Sequence, residues 1–255
     1  MTHIKLKAIN LNIPVYDNNA RRLFLMPSIG SARVGARDFR RKFNVLNVHA
    51  LHDLNLDIRE GDRVALIGHN GAGKTTLLRL LAGIYTAQEG EMEVEGKVQS
   101  LLDAASGLNP DATGYENIHL AAKLNDWSKD KLESYIADIE DFTELGEYLS
   151  LPLRIYSAGM NARLAFAIAT MCPPDILLVD ENIGAGDAHF QDKARKRVDK
   201  LIDIAKIVMI ASHSVELLKS ICEKGVLLAN GRSLYCGDLN EAVRLYQKSR
   251  YGMEK

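Results

Sequence analysis

Between Gly68 and Thr76 the chain reads GHNGAGKTT, directly after the apolar run RVALI. Gly68, Gly73, Lys74 and Thr75 satisfy the spacing G-x-x-x-x-G-K-[ST], after a strand and at the opening of a helix. The physical need behind that spacing is phosphate binding. Glycines let the backbone N–H groups of His69, Asn70, Gly71, Ala72 and Gly73 curl around anionic oxygens, and the positive end of the following helix adds to the attraction. Lys74 would reach the β- and γ-phosphates, the Thr75 hydroxyl would hold Mg²⁺, and Thr76 is a further ATP-binding candidate. A Gly-rich turn without a ligand is the plain structural alternative. The strand before it and the helix after it favour a nucleoside triphosphate.

ILLVDE ends in Asp180 and Glu181, where open α/β sheets gather their ligands. Asp180 would support Mg²⁺, directly or through water, and Glu181 is suited to polarise an attacking water as general base. His213 follows the apolar run IVMIAS. Alone it reads as a structural histidine; beside the other motifs it becomes a γ-phosphate contact. At YSAGM, Ser157 caps a helix with Gly159 in its first turn and Leu164, Ile168 and Met171 facing inward; by itself the segment reads as an ordinary capped helix, and the alternative is a second phosphate-binding device.

These groups need a sheet to carry them. IKLKAINL alternates apolar and polar residues as a half-buried strand does, and HALHDLNLDI resumes that alternation. RVALIG, ILLVDE and KIVMIASH read as parallel strands buried on both faces, with GEMEVEG and GKVQSLL as further strands. Thr113 and Glu116 form a T-x-x-E capping box, and Leu132, Tyr135, Ile136 and Ile139 share one helical face. The expected architecture is a parallel-sheet nucleotide-binding core over about residues 1–102 and 172–240, a helical insertion over about 103–171, and a short C-terminal tail. The 255 residues suit one domain of this kind. A net charge of −1 gives no global reason to expect nucleic acid. Three scattered cysteines suggest neither a metal site nor a disulfide framework, which fits a reducing cytoplasm. No apolar run approaches the ~20 residues that span a bilayer, and no secretory leader is visible.

The order of GHNGAGKTT, a helical insertion, YSAGM, ILLVDE, GAGD and ASH resembles the nucleotide-binding subunit of an ABC transporter over nearly the whole chain. More narrowly, GDRVALIGHNGAGKTTLLRLLAGIY, LNPDATGYENI, LPLRIYSAGMNARLAFAIAT and ENIGAGDAHF resemble the ATPases that export lipid-linked polysaccharides of the O-antigen and teichoic-acid type. The resemblance implies an α/β P-loop fold of ABC type, with a RecA-like core, an antiparallel β subdomain and an inserted helical subdomain. It implies ATP hydrolysis with Mg²⁺ in a homodimer that sandwiches two ATP molecules head to tail. Ser157, Ala158, Gly159 and Met160 would touch the γ-phosphate on the partner's P-loop, Asp187 would belong to the D-loop, and His213 would be the switch histidine. It implies two copies of a membrane-spanning permease, a lipid-linked glycan as cargo, and a seat at the cytoplasmic face of the inner membrane. Some relatives carry a glycan-binding domain after the cassette; the ending LNEAVRLYQKSRYGMEK suggests the short form.

Three departures stand out. The signature is YSAGM rather than L-S-G-G-Q, so Met160 cannot donate the hydrogen bonds of a glutamine. The glutamine expected after the strand that follows the P-loop is missing; Asp103, an additional Mg²⁺ candidate, is the nearest match and Gln99 a weaker one. The aromatic that would stack on adenine is Tyr16, with Phe43 or His49 behind it. The polysaccharide-export relatives share the first two departures. An ABC ATPase for another exported lipid or an imported solute, and one that acts away from membranes on nucleic acid, are the competing readings. The lack of heptads and of a second cassette speaks against the latter, and the YSAGM and GAGD variants against the former. From Asp17 to Asn44 the chain is basic, with Arg21, Arg22, Arg33, Arg37, Arg40, Arg41 and Lys42 against Asp17 and Asp38. It reads as a solvated loop, or as a surface for anionic headgroups at the membrane.

Overall fold

The computed structural model describes residues 1–15, 32–34, 37–42, 45–102, 107–180 and 188–251. A five-stranded antiparallel sheet is built from β1 (His3–Val15), β2 (Ala32–Val34), β3 (Arg37–Lys42), β4 (Val45–Arg59) and β6 (Glu89–Glu95), in the order β2-β3-β4-β1-β6. A six-stranded sheet holds β5 (Arg63–Ile67), β7 (Val98–Ser100), β8 (Ile176–Asp180), β9 (Ile207–Ala211), β10 (Lys224–Ala229) and β11 (Arg232–Asp238), in the order β11-β10-β5-β9-β8-β7. Its pairings are parallel except for the β10–β11 hairpin.

The continuous apolar runs are explained by two cores, one on each face of this second sheet. Val64 and Leu66 of β5, Leu178 of β8 and Met209 of β9 turn toward β1, β4 and helix α1 (Lys74–Leu81). Ala65, Ile67, Leu177, Val179, Val208 and Ile210 turn the other way, toward the helices. Successive side chains of a strand point to opposite faces, so a strand covered on both sides must be apolar throughout.

Between β7 and β8 the chain forms α2 (Gly114–Leu124), α3 (Lys129–Thr143) and α4 (Ala158–Ala169), with short 3₁₀ turns at Gly146–Ser150 and Leu153–Ile155. The capping box at the start of α2 is complete: Thr113 Oγ1 accepts from Glu116 N–H, and the Glu116 carboxylate accepts from Thr113 N–H. Ile139 on α3 is fully buried, and Leu132, Tyr135 and Ile136 pack against the same core. After β8 come α5 (Ala188–Ile204), α6 (Val215–Ile221) and α7 (Leu239–Tyr251). No helix of the described residues is long and apolar enough to cross a membrane.

One expectation needs correcting here. The basic segment does not run as a loop throughout, because Arg37–Lys42 forms a strand. It pairs with β4 in the register Phe39↔Val48 and Arg41↔Leu46. Backbone pairing on both sides, to β2 and β4, organises a stretch whose composition carries no apolar alternation.

Candidate functional site

The P-loop leaves β5 and enters α1 with glycines where backbone or neighbours forbid a side chain. A Cβ on Gly68 would lie 2.4 Å from the Leu228 carbonyl oxygen and 2.8 Å from Ala72 Cβ. Gly73 caps α1 with φ 110°, a left-handed conformation costly to residues with a Cβ. Lys74 is 9% exposed, and its ammonium donates to the carbonyls of Gly68 at 2.6 Å and His69 at 3.3 Å. It therefore folds back over the loop that it would share with a phosphate. The turn is braced from below: Ala72 N–H donates to His69 O, and Gly231 N–H donates to Ala72 O at 2.9 Å.

Thr75 on the first turn of α1 meets Asp180 at the end of β8, with Oγ1 donating to Oδ2 at 2.8 Å. The sequence assigned both residues to Mg²⁺, and the fold brings their oxygens together. Two hard oxygen donors with one formal negative charge suit a Mg²⁺ ion that takes its other positions from water and phosphate. The described residues contain no cluster of three or more His, Cys, Asp or Glu that would make a separate metal cage. His213 stands two residues past β9, the strand between β5 and β8, so it leaves the sheet at the same end as Asp180 and the P-loop.

A cavity of about 300 Å³ opens beside the P-loop. Gly71, Gly73, Thr75 and Thr76 form one wall; Ile13, Val48 and His49 from the antiparallel sheet form another. Among the aromatic candidates for the base, His49 is the one seen here. Its ring stacks on His52 with centroids 4.5 Å apart and an 11° interplanar angle, Nδ1 to Nδ1 at 3.3 Å. Tyr16 and Phe43, like Asp103, Glu181 and Asp187, lie outside the described residues. Gln99 sits within β7, paired with Leu177.

The sequence reading missed Arg79, Tyr85, Asn230 and Gly231, all of which line this cavity. Arg79 stands four residues after Thr75, and that helical spacing is a signal for a shared face. Asn230-Gly231 between two apolar strands is a strong hairpin signal. Both residues have positive φ, 51° and 77°, as the turn joining β10 to β11 requires.

Ser157, Gly159 and Met160 are elsewhere. Ser157 Oγ accepts from Met160 N–H at 3.2 Å, so it caps α4 as expected. With Glu144, Leu145, Tyr148 and Arg163 they line a second cavity of about 640 Å³. The two cavities share no lining residue.

A three-layered α/β cassette with a P-loop at the C-terminal edge of its parallel sheet has the architecture of a nucleoside triphosphate-binding domain. A family model described as ABC transporter matches residues 51–184. The O-antigen export system ATP-binding protein RfbE of Yersinia enterocolitica is 42% identical over 91% of this chain and 96% of its own. An O-antigen export system ATP-binding protein, RfbB, of Klebsiella pneumoniae is 33% identical over 92% and 97%. The teichoic acids export ATP-binding protein TagH of Shouchella clausii is 34% identical over 95% of this chain and 64% of its own. The chain belongs to the ABC transporter family, and it is an ATP-binding ATPase of that family. In fold it is similar to an ATP-binding subunit of an ABC transporter, at a TM-score of 0.69 and 19% identity over 96% of this chain and 94% of the other. A dimeric ATP-binding cassette solved in a post-hydrolysis state with ADP and Pi aligns at 0.64 and 20% identity, over 92% and 98%.

Proposed function

We propose that this chain is the ATP-hydrolysing subunit of an ABC exporter that moves a lipid-linked, O-antigen-type polysaccharide across the inner membrane. The observation that carries the reading is the 42% identity, across 91% of the chain, to a protein named for O-antigen export. In this reading the chain works as a homodimer on two copies of a membrane-spanning permease, at the cytoplasmic face of that membrane.

In this reading each residue has a distinct part. Lys74 exchanges the carbonyls of Gly68 and His69 for β- and γ-phosphate oxygens. Thr75 and Asp180 would hold Mg²⁺, which when bound neutralises charge on the phosphates. Glu181 follows Asp180 directly and takes a proton from the attacking water; His213 contacts the γ-phosphate. The separate cavity of Ser157, Gly159 and Met160 supports a site completed between two chains, because the cap of α4 faces a space other than its own P-loop's.

Two experiments test this. In a strain deleted for the gene, wild-type protein should restore surface polysaccharide, and Lys74→Ala at equal abundance should not. Restoration by Lys74→Ala would sink the ATP-driven export reading. In vitro, Glu181→Gln should keep ATP binding, slow turnover by about 100-fold or more, and accumulate as an ATP-bound dimer.

A further inference from the structure

Glu144 closes helix α3 in a left-handed conformation, φ 55° and ψ 30°. Glycine is the ordinary choice at such a position, and a residue with a Cβ is strained there. Its carboxylate accepts from the ammonium of Lys193 on α5, and Lys193 also reaches the Asp141 carbonyl at 3.4 Å. Both partners are partly exposed, at 51% for Glu144 and 32% for Lys193, so the pair returns little stability after screening. Stability therefore does not explain a glutamate here. Its location does: Glu144 lines the cavity that holds Ser157 and Gly159, together with Arg163. Lys193, bonded to it, holds its carboxyl below the usual carboxylate range, and His189 and Arg163 act in the same direction. Glu144 thus stands in the lining of this cavity beside Arg163, with Lys193 bonded to it from α5.

We propose that Glu144 is a displaceable counter-ion at the Ser157 cavity, holding Lys193 until the triphosphate carried by a second copy of the chain takes its place. The proposal rests on the two-chain reading above. While Glu144 is in place its charge opposes an incoming phosphate; once Lys193 is released, that ammonium favours it. Lys193 belongs to the helix that follows the Asp180 strand, so the exchange ties the Ser157 cavity of one chain to its own catalytic half. A strained residue at a ligand-facing cavity is where such a device is expected.

The two members of the pair must then act in opposite directions. In a Glu181→Gln background, dimerisation is followed by sedimentation over a MgATP series. Glu144→Gln should lower the MgATP needed for half-dimerisation by about threefold or more, the effect of one exposed charge pair. Lys193→Met should raise it by a similar factor, and Glu144→Asp should stay close to the parent. If both substitutions shift the requirement the same way, or neither shifts it, Glu144 is only a helix terminus and the proposal fails. Glu144→Gly retains the left-handed turn and removes the carboxylate, so it should match Glu144→Gln; a normal requirement in Glu144→Gly would also overturn the proposal. A Glu181→Gln parent that stays monomeric at every MgATP concentration would reject the two-chain reading instead.

Discussion

Thr75 and Asp180, 105 residues apart in sequence, are joined by a single hydrogen bond of 2.8 Å from hydroxyl to carboxylate. It ties the helix that starts at the P-loop to the strand that ends at Asp180. Thr75→Ser should keep ATPase activity near normal, because the hydroxyl remains. Thr75→Val should raise the Mg²⁺ needed for half-maximal activity by about tenfold or more. An Mg²⁺ titration of ATPase rate decides, and an unchanged requirement in Thr75→Val would remove it from the metal site.

Ser157→Arg should abolish hydrolysis while leaving nucleotide affinity of the monomer nearly unchanged, since Ser157 lines a cavity separate from the P-loop's. Mixed with Lys74→Ala protein, it should form dimers with at most one intact composite site. Fluorescent ATP binding to the isolated monomer is the measurement. Weakened monomer binding would mean that α4 faces its own P-loop.

Gly231→Ala should damage both fold and site. The glycine has φ +77°, and an added Cβ would lie 2.5 Å from the Ala50 carbonyl oxygen. The left-handed backbone alone costs roughly 1–2 kcal/mol for a residue with a Cβ, and the backbone clash adds to it. At this chain length that lowers Tm by about 4 °C or more. KM for ATP should rise as well, because Gly231 N–H supports Ala72. A variant with unaltered Tm and KM would show the turn to be incidental.

Asp175 sets an acid limit. Lys206 bonds its carboxylate at 2.8 Å, Lys97 N–H donates to it at 2.8 Å, and together these lower its pKa. A carboxyl whose folded pKa is depressed adds stability above its unfolded value of about 4, and loses it as pH falls through the folded value. Wild-type Tm should therefore fall on acidification below about pH 4, and Asp175→Asn should show a lower Tm at neutral pH with a shallower acid decline. Equal acid slopes in the two proteins would contradict this.

The parts of the site that announced themselves are those whose chemistry demands a local pattern. Gly68, Gly73, Lys74 and Thr75 must be adjacent, and Asp180 must end an apolar strand, so both were legible. Thr113 and Ser157 were readable as caps for the same reason. What stayed hidden depends on packing between distant segments. Tyr85 joins His49, the one adenine candidate seen, at one cavity only because the antiparallel sheet lies over α1. The strand Arg37–Lys42 pairs through its backbone, which leaves no imprint on a charged sequence. Nothing in the sequence marks Glu144; its backbone conformation and its bond to Lys193 appear only in three dimensions.

The support of the P-loop by the hairpin at Asn230-Gly231 has a consequence for the chain as it is made. Gly68 packs against Leu228 of β10, β10 pairs directly with β5, and Ala72 bonds to Gly231. Translation runs from the N-terminus, and the P-loop emerges long before these partners exist. A nascent chain halted before residue 231 would carry every residue of the motif and still lack the floor beneath it. ATP should therefore protect ribosome-bound chains from protease only once the β10–β11 hairpin has left the exit tunnel.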